Sequence, residues 1–175
     1  MKTAQNYLES AIQQFGYYKR LGEKTFDQLT DEHLFWQYNA GSNSIAMIVQ
    51  HLHGNMLSRF TDFLTSDGEK GWRNRDTEFE AVIKTREELL AKWNEGWQCL
   101  LDAITQLTKD DLGKIVRIRA EEHSVEEAIN RHLAHYPYHI GQIIFIGKML
   151  TNDQWHSLTI PRGQSGAFND KMFGR

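Results

Sequence analysis

Apolar residues recur at three- and four-residue steps along four long stretches of this chain, and each stretch predicts an amphipathic helix. The first runs from about Thr3 to Leu29, with Tyr7, Leu8, Ala11, Ile12, Phe15, Tyr18 and Leu21 on one face. A polar and aromatic connection follows, from Thr30 through Phe35 and Trp36 to Gly41-Ser-Asn-Ser44, and its last residues are N-cap candidates. The second stretch carries Ile45, Ile48, Val49, Leu52, Met56, Phe60 and Phe63, and stops near Thr65-Ser-Asp-Gly68, where Asp-Gly favours a turn. Residues 66–77 are charged and aperiodic. They predict a crossover loop over one end of the helices, with Trp72 as its packed anchor. The third helix spans about Thr85 to Leu107, with Leu89, Trp93, Trp97, Leu100, Ile104 and Leu107 in a heptad-like stripe.

Lys114-Ile-Val-Arg-Ile-Arg119 alternates enough for a short extended segment. Ser124-Val-Glu-Glu127 is a capping box, in which the serine accepts from the N3 amide and the glutamate reaches back. It opens a fourth helix to about Leu150, whose inner face holds Val125, Ala128, Ile129, His132, Tyr136, His139, Ile140, Ile143 and Leu150. The tail after Asn152, with Pro161, Gly163 and Gly166, reads as irregular. The whole is an all-α, four-helix-bundle pattern in a single domain, residues 1–175, and such bundles place metal and ligand sites on facing inner positions.

Composition narrows the function classes. A net charge of −3 lacks the basic footprint of a nucleic-acid binder. No apolar run approaches the roughly 20 residues of a membrane span, and the N-terminus has no signal-peptide core. The single cysteine, Cys99, excludes an intramolecular disulfide and suits a reducing cytoplasm. Beside Leu100 and Leu101 in a helical pattern, it reads as a packing residue.

The chemistry concentrates in Asn130-Arg-His-Leu-Ala-His-Tyr-Pro-Tyr-His-Ile-Gly-Gln142. On a helix, His135 and His139 are four apart, with Cβ atoms about 5–6 Å from each other. That spacing lets one helix give two imidazoles to one metal ion. A third ligand must come from elsewhere, and the second helix offers His51 and His53. Periodicity slightly favours His53, about 70° from the centre of its apolar stripe at about 100° per residue, against about 130° for His51. His132 falls near the middle of the fourth helix's stripe. His33, His123 and His156 stand in polar surroundings and read as surface residues. Pro137, between the paired histidines, removes the amide that would bond the carbonyl of Leu133. Both a tolerated kink and a bulge that aims the two rings at one ion fit it.

Three places carry a family resemblance. Ser44-Ile-Ala-Met-Ile-Val-Gln-His51-Leu is similar to the second-helix motif of the DinB/YfiT-like superfamily of small bacterial metalloenzymes. His135-Tyr-Pro-Tyr-His139-Ile-Gly141-Gln142 resembles its fourth-helix motif, H-x-x-x-H-x-G-Q. The segments from Gly54 to Asp62 and from Asp67 to Asp76 look like those of an uncharacterised branch. The resemblance implies an up-down-down-up bundle with a long link between the second and third helices. It also implies a divalent ion, nickel or zinc, held by His51, His135 and His139, which overrides the preference for His53. His132 matches no ligand position and is left to packing or support of the ligands.

Three protein ligands leave coordination positions open, as in catalytic sites. Superfamily members include transferases of low-molecular-weight thiols, so the leading expectation is a metal-dependent transferase joining a small thiol to an electrophile. Arg59, Arg73 or Arg75 are candidates to bind the thiol's carboxylates. A metal-dependent hydrolase is the alternative; it needs a general base, and Glu121 or Glu122 would have to be brought close. A third reading is a non-catalytic metal- or ligand-binding bundle acting through association, with Trp36, Trp72 and Trp155 in a homodimer contact.

Overall fold

A computed structural model describes residues 4–174. Those residues are mainly helical, with six α-helices and one two-stranded antiparallel sheet among them: α1 (Ala4–Phe26), α2 (Asp31–Phe35), α3 (Ile45–Phe60), α4 (Arg86–Thr105), β1 (Ile115–Ile118), β2 (Glu121–Ser124), α5 (Val125–Thr151) and α6 (Ser165–Phe173). The four long helices are those expected from periodicity. α3 packs on α4 and α5, and α1 packs on α4 and α5. No helix among the described residues is long and apolar enough to cross a membrane.

The core is built from the expected stripes. Leu8, Ala11, Phe15 and Leu21 of α1 are buried, as are Leu89, Trp93, Trp97, Leu100 and Ile104 of α4. Edge-to-face contacts join Phe26 to Trp93, Trp93 to Trp97, and Trp97 to Tyr136 of α5, so one aromatic ladder links three helices. Such pairs add about 0.5–1.5 kcal/mol each beyond the area they bury. Gly22 makes room for the ladder, because a Cβ there would lie 2.4 Å from the Trp93 ring. α3 differs from the other helices, since nearly every residue from Ile45 to Leu52 is buried, polar ones included. It is sheathed on its apolar side by α4 and on its polar side by the crossover.

Several local expectations need correction. The second helix ends at Phe60 rather than near Thr65, where Asp62 takes a positive φ of 50° just past the cap and turns the chain. The supposed connection after α1 contains α2, one short helix opened by Thr30, whose hydroxyl accepts from the amide of His33. Five residues are too few to show a period. The all-α reading also missed a hairpin. The extended segment at 114–119 is β1, and it pairs with β2 in the register Ile115↔Ser124 to Ile118↔Glu121. The tail is not wholly irregular, for α6 forms there with all its residues exposed.

The crossover is a loop with a single 3₁₀ turn at Asp76–Phe79, as its aperiodic charges predicted. It runs back along α3 rather than over one end. Gly68 receives Ser58 Oγ on its carbonyl at 2.6 Å, and Gln50 reaches the carbonyl of Thr77 at 2.6 Å. Trp72 is not its anchor, being 60% exposed. Charged groups hold the loop instead. The guanidinium of Arg59 donates to the carbonyl of Gly68, and Arg73 lies buried against Glu78. A bulky side chain can stay outside when ion pairs and backbone bonds fix the segment.

Asp67 ties this loop to the hairpin. Its carboxylate accepts the amides of Arg119 and Ala120 at 2.9 and 2.8 Å, and the Gly68 amide donates to the carbonyl of Arg117 at 2.7 Å. Arg119 and Ala120 both have positive φ, 58° and 63°, the two central residues of a tight hairpin turn. That conformation costs a non-glycine residue roughly 1–2 kcal/mol, so the turn leans on Asp67. Asp67→Ala is expected to lower unfolding stability by about 1–2 kcal/mol in urea titration. An unchanged midpoint would show that the turn holds without it.

Candidate metal centre

α3 and α5 meet where their polar positions face each other. Residues 51, 55 and 59 follow at i, i+4 and i+8 on α3, so His51, Asn55 and Arg59 share one face. From α5, His135 and His139 face them one turn apart. The His135 Nε2 lies 3.1 Å from His139 Nε2 and 3.5 Å from His51 Nε2. Ligand atoms of all three fall within 4.8 Å of one another. His51 and His139 are buried and His135 is half-buried.

The hydrogen bonds behind the rings settle their tautomers. His51 Nδ1 is 2.8 Å from Glu78 Oε2, and His139 Nδ1 is 3.0 Å from Gln142 Oε1. Both oxygens can only accept, so each Nδ1 carries a proton and, in the neutral ring, Nε2 presents the lone pair. Where Nε2 of His135 is unprotonated too, its lone pair meets theirs at 3.1 and 3.5 Å, a repulsion that an electrophile among them relieves. Two nitrogens bound at about 2.0–2.1 Å to one ion in tetrahedral or octahedral angles would stand about 2.8–3.4 Å apart. The donor set and its spacing therefore fit a divalent cation, and the three histidines could hold one. Carboxylate and amide partners behind metal-bound histidines are the usual means of orienting them.

Glu78 is the residue that sequence reasoning missed. It is 5% exposed, and its carboxylate also takes Arg73 Nε at 2.7 Å and Nη2 at 3.0 Å. Burial raises its pKa, but the bonds from His51 and Arg73 outweigh that and hold it below the usual carboxylate range. Gly54, one turn beyond His51, leaves the space it occupies: a Cβ there would lie 2.4 Å from Glu78 Oε1. Nothing in the local pattern of Asp76-Thr-Glu-Phe79 marks Glu78 as buried. The Gly54 position was the available signal, but only with the crossover path known.

The remaining histidines separate cleanly. His53, favoured by periodicity, points away and meets Glu95 of α4 at 2.8 Å. The wheel failed because α3 is buried on both sides, so distance from the apolar stripe does not measure exposure. His132 is 2% exposed, with Nδ1 donating to the carbonyl of Ala128 at 2.6 Å and its ring against Phe60 and Tyr136. His123 and His33 are half-buried rather than fully on the surface, whereas His156 is exposed. α5 stays α-helical through Pro137, so the aiming bulge does not form. The i, i+4 spacing alone brings the two rings together.

The histidines open into a cavity of about 350 Å³. Arg59, Arg73 and Arg75 all line it, as do Arg119 of the hairpin turn and Arg131 of α5. No Asp or Glu is among the residues lining it. Arg59 and Arg73 are already engaged, the first with Glu69 at 3.1 Å and the second with Glu78. Arg75 is exposed, its guanidinium carbon 5.9 Å from the Phe79 ring centre. Phe79 in turn stacks on His51 with ring centres 5.1 Å apart. Glu121 and Glu122 do not approach the histidines as a base would. Glu122 pairs with Arg117 at 2.7 Å, and Glu121 lies on the exposed hairpin, 3.8 Å from Arg131.

Burial first, then neighbouring cationic groups, lower the pKa of His132 to about 4 and of His135 to about 3. Burial and His51 lower His139 to about 4. The folded values lie below the unfolded value of about 6.5, so between them the unfolded chain holds protons that the folded chain refuses. Stability of the metal-free protein should therefore be complete above about pH 6.5 and fall progressively toward pH 4. Urea midpoints at pH 7.5, 5.5 and 4.5 check this. A flat profile over that window would contradict neutral buried imidazoles.

Comparison with known proteins adds a family and no activity. None of the curated proteins matches the chain. A family model described as "Protein of unknown function (DUF1572)" matches residues 2–164, and the chain belongs to that family.

Proposed function

We propose that this protein is a divalent-metal-dependent enzyme that joins a low-molecular-weight thiol to an electrophile, with His51, His135 and His139 as the metal ligands. The observation that carries the reading is the convergence of three Nε2 atoms at the floor of an arginine-lined cavity free of carboxylates. The resemblance to the DinB/YfiT-like superfamily supports it, and so does the path of the crossover. By running back along α3 it allows α4 to start beside the beginning of α3, as an up-down-down-up bundle requires. Three imidazoles suit zinc or nickel.

A bound divalent ion supplies Lewis acidity, lowering the pKa of a thiol or water at its open positions. The protein's own part is orientation. Glu78 and Gln142 hold two imidazoles in the ligating tautomer, and Phe79 and Tyr138 flank the rings of His51 and His139. Hydrolysis is the weaker reading, because Glu78 has both oxygens occupied and no other carboxylate lines the cavity to act as a base. A small thiol needs only to be deprotonated and placed.

Alanine at His51, His135 or His139 should sharply reduce metal retention, whereas His33→Ala and His156→Ala should leave it unchanged. Gly54→Ala should weaken retention about 10- to 100-fold by displacing Glu78 from His51. Elemental analysis after dialysis reads both, and retention unaffected by all three histidine substitutions would overturn the site.

Conjugation of a model electrophile should saturate with thiol concentration, with a pH profile reflecting a thiol pKa below about 8.5. His139→Ala should abolish it while circular dichroism stays unchanged, because the apolar stripes supply most of the stability. Metal-depleted protein that stayed folded and conjugated at the same rate would refute the mechanism.

A further inference from the structure

The cavity holds more positive charge than three metal ligands need. One donor on a residue lining it has nothing to donate to. Arg73 gives Nε and Nη2 to Glu78, but its Nη1 is buried without a hydrogen-bond partner, on a side chain only 2% exposed. Leaving a charged donor unpaired costs more than leaving a neutral one. Asn55 lines the same cavity. Its Oδ1 accepts from the hydroxyl of Tyr136 at 3.0 Å, which fixes the amide and leaves the NH₂ group as its remaining function.

At the outer end, Arg119 and Arg131 line the same cavity with side chains about half exposed, 53% and 50%. Their carboxylate partners do not neutralise the interior. Glu69 is shared between Arg59 and Arg119, and Glu121 lies 3.8 Å from Arg131 on the exposed face of the hairpin. The cavity is thus lined by one buried, unpaired guanidinium nitrogen, the Asn55 amide, two half-exposed guanidinium groups and the three histidines.

We propose that this cavity is a binding site for small dicarboxylates: Arg73 Nη1 and the Asn55 amide take one carboxylate beside the histidines, and Arg119 and Arg131 take a second at the rim. This deepens the reading above by assigning a dianionic class to the molecule that enters. It also revises which arginines matter. Arg59 is buried and committed to the crossover, while Arg119 and Arg131, which motif reasoning passed over, line the cavity with half-exposed side chains, Arg119 sharing Glu69 with Arg59. Arginine rather than lysine fits such a task, because its fixed fork matches a carboxylate.

Succinate is the probe, with succinamide as its neutral counterpart, each titrated calorimetrically into zinc-loaded protein and into protein stripped of metal and dialysed. Succinate should bind at least tenfold more tightly than succinamide in both forms, and its affinity should fall as salt rises. Arg119→Gln/Arg131→Gln, at exposed positions, should weaken succinate about tenfold or more without changing the thermal midpoint. Asn55→Leu should weaken succinate similarly, and thermal unfolding will show whether it folds. Equal affinity for the two probes, or a rim double variant that binds succinate as the parent does, would overturn the proposal. Failure of the metal reading looks different: no zinc is retained, yet metal-free protein still discriminates succinate from succinamide.

Discussion

A single buried carboxylate organises the polar half of this molecule. Glu78 enters from a loop, lies under His51 and takes two nitrogens of Arg73, so one residue connects the crossover, α3 and the histidine cluster. Moving a carboxylate out of water costs several kcal/mol even after relaxation, and only well-placed charged or hydrogen-bonded partners offset it. Here the guanidinium fork and the imidazole N–H provide that compensation. Gly54 provides the space. The same bond that satisfies Glu78 selects the His51 tautomer, and so the loop's packing and the site's chemistry depend on one contact.

This explains why the crossover can be ordered without an aromatic anchor. Trp72 faces outward, while the loop is fixed by Arg59 and Ser58 at Gly68, by Asp67 at the hairpin turn and by Arg73 and Glu78 at the site. Each of these attachments is polar and specific in register. A hydrophobic anchor would have given burial without fixing which side chain meets His51. The hairpin belongs to the same device, since its turn is held by Asp67 and brings Arg119 to the cavity rim.

The long helices were legible because their stripes are one-sided. α1, α4 and α5 each bury the face that periodicity marks, and Ser124 caps α5 as its sequence pattern requires. α3 was legible as a helix, but its functional face was not. It is enclosed by α4 on one side and by the loop on the other, so His51 is as buried as Leu52 although it lies far from the apolar stripe. The resemblance pointed to His51, which lies close to His135 and His139, where the wheel preferred His53, which pairs with Glu95. Glu78 and Asn55 were invisible for a related reason: their partners are distant in sequence, and only the path of an aperiodic loop brings them together. Short elements failed because α2, β2 and α6 span too few residues, or stay too exposed, to leave a period.

The charges around the histidines impose a constraint that the fold alone does not resolve. Five guanidinium groups line the cavity, and burial first, with Arg59 among the cations that add to it, lowers the pKa of His132 and His135. The same field opposes the arrival of a divalent cation. Two unit charges 4 Å apart near a protein surface interact by about 4 kcal/mol, so like charges lining one cavity work against a cation's entry. Glu78 offsets part of it from behind His51, but that carboxylate is already matched by Arg73. A small dianion in the cavity would supply the missing negative charge. Cation and anion would then each raise the other's affinity, and by reciprocity the coupling must be the same from either side. On the proposed reading, the arginines make the histidines available as ligands and make the loaded site favour company of opposite sign. Metal and dicarboxylate are in that sense one combined ligand, and the polar lining is built around both.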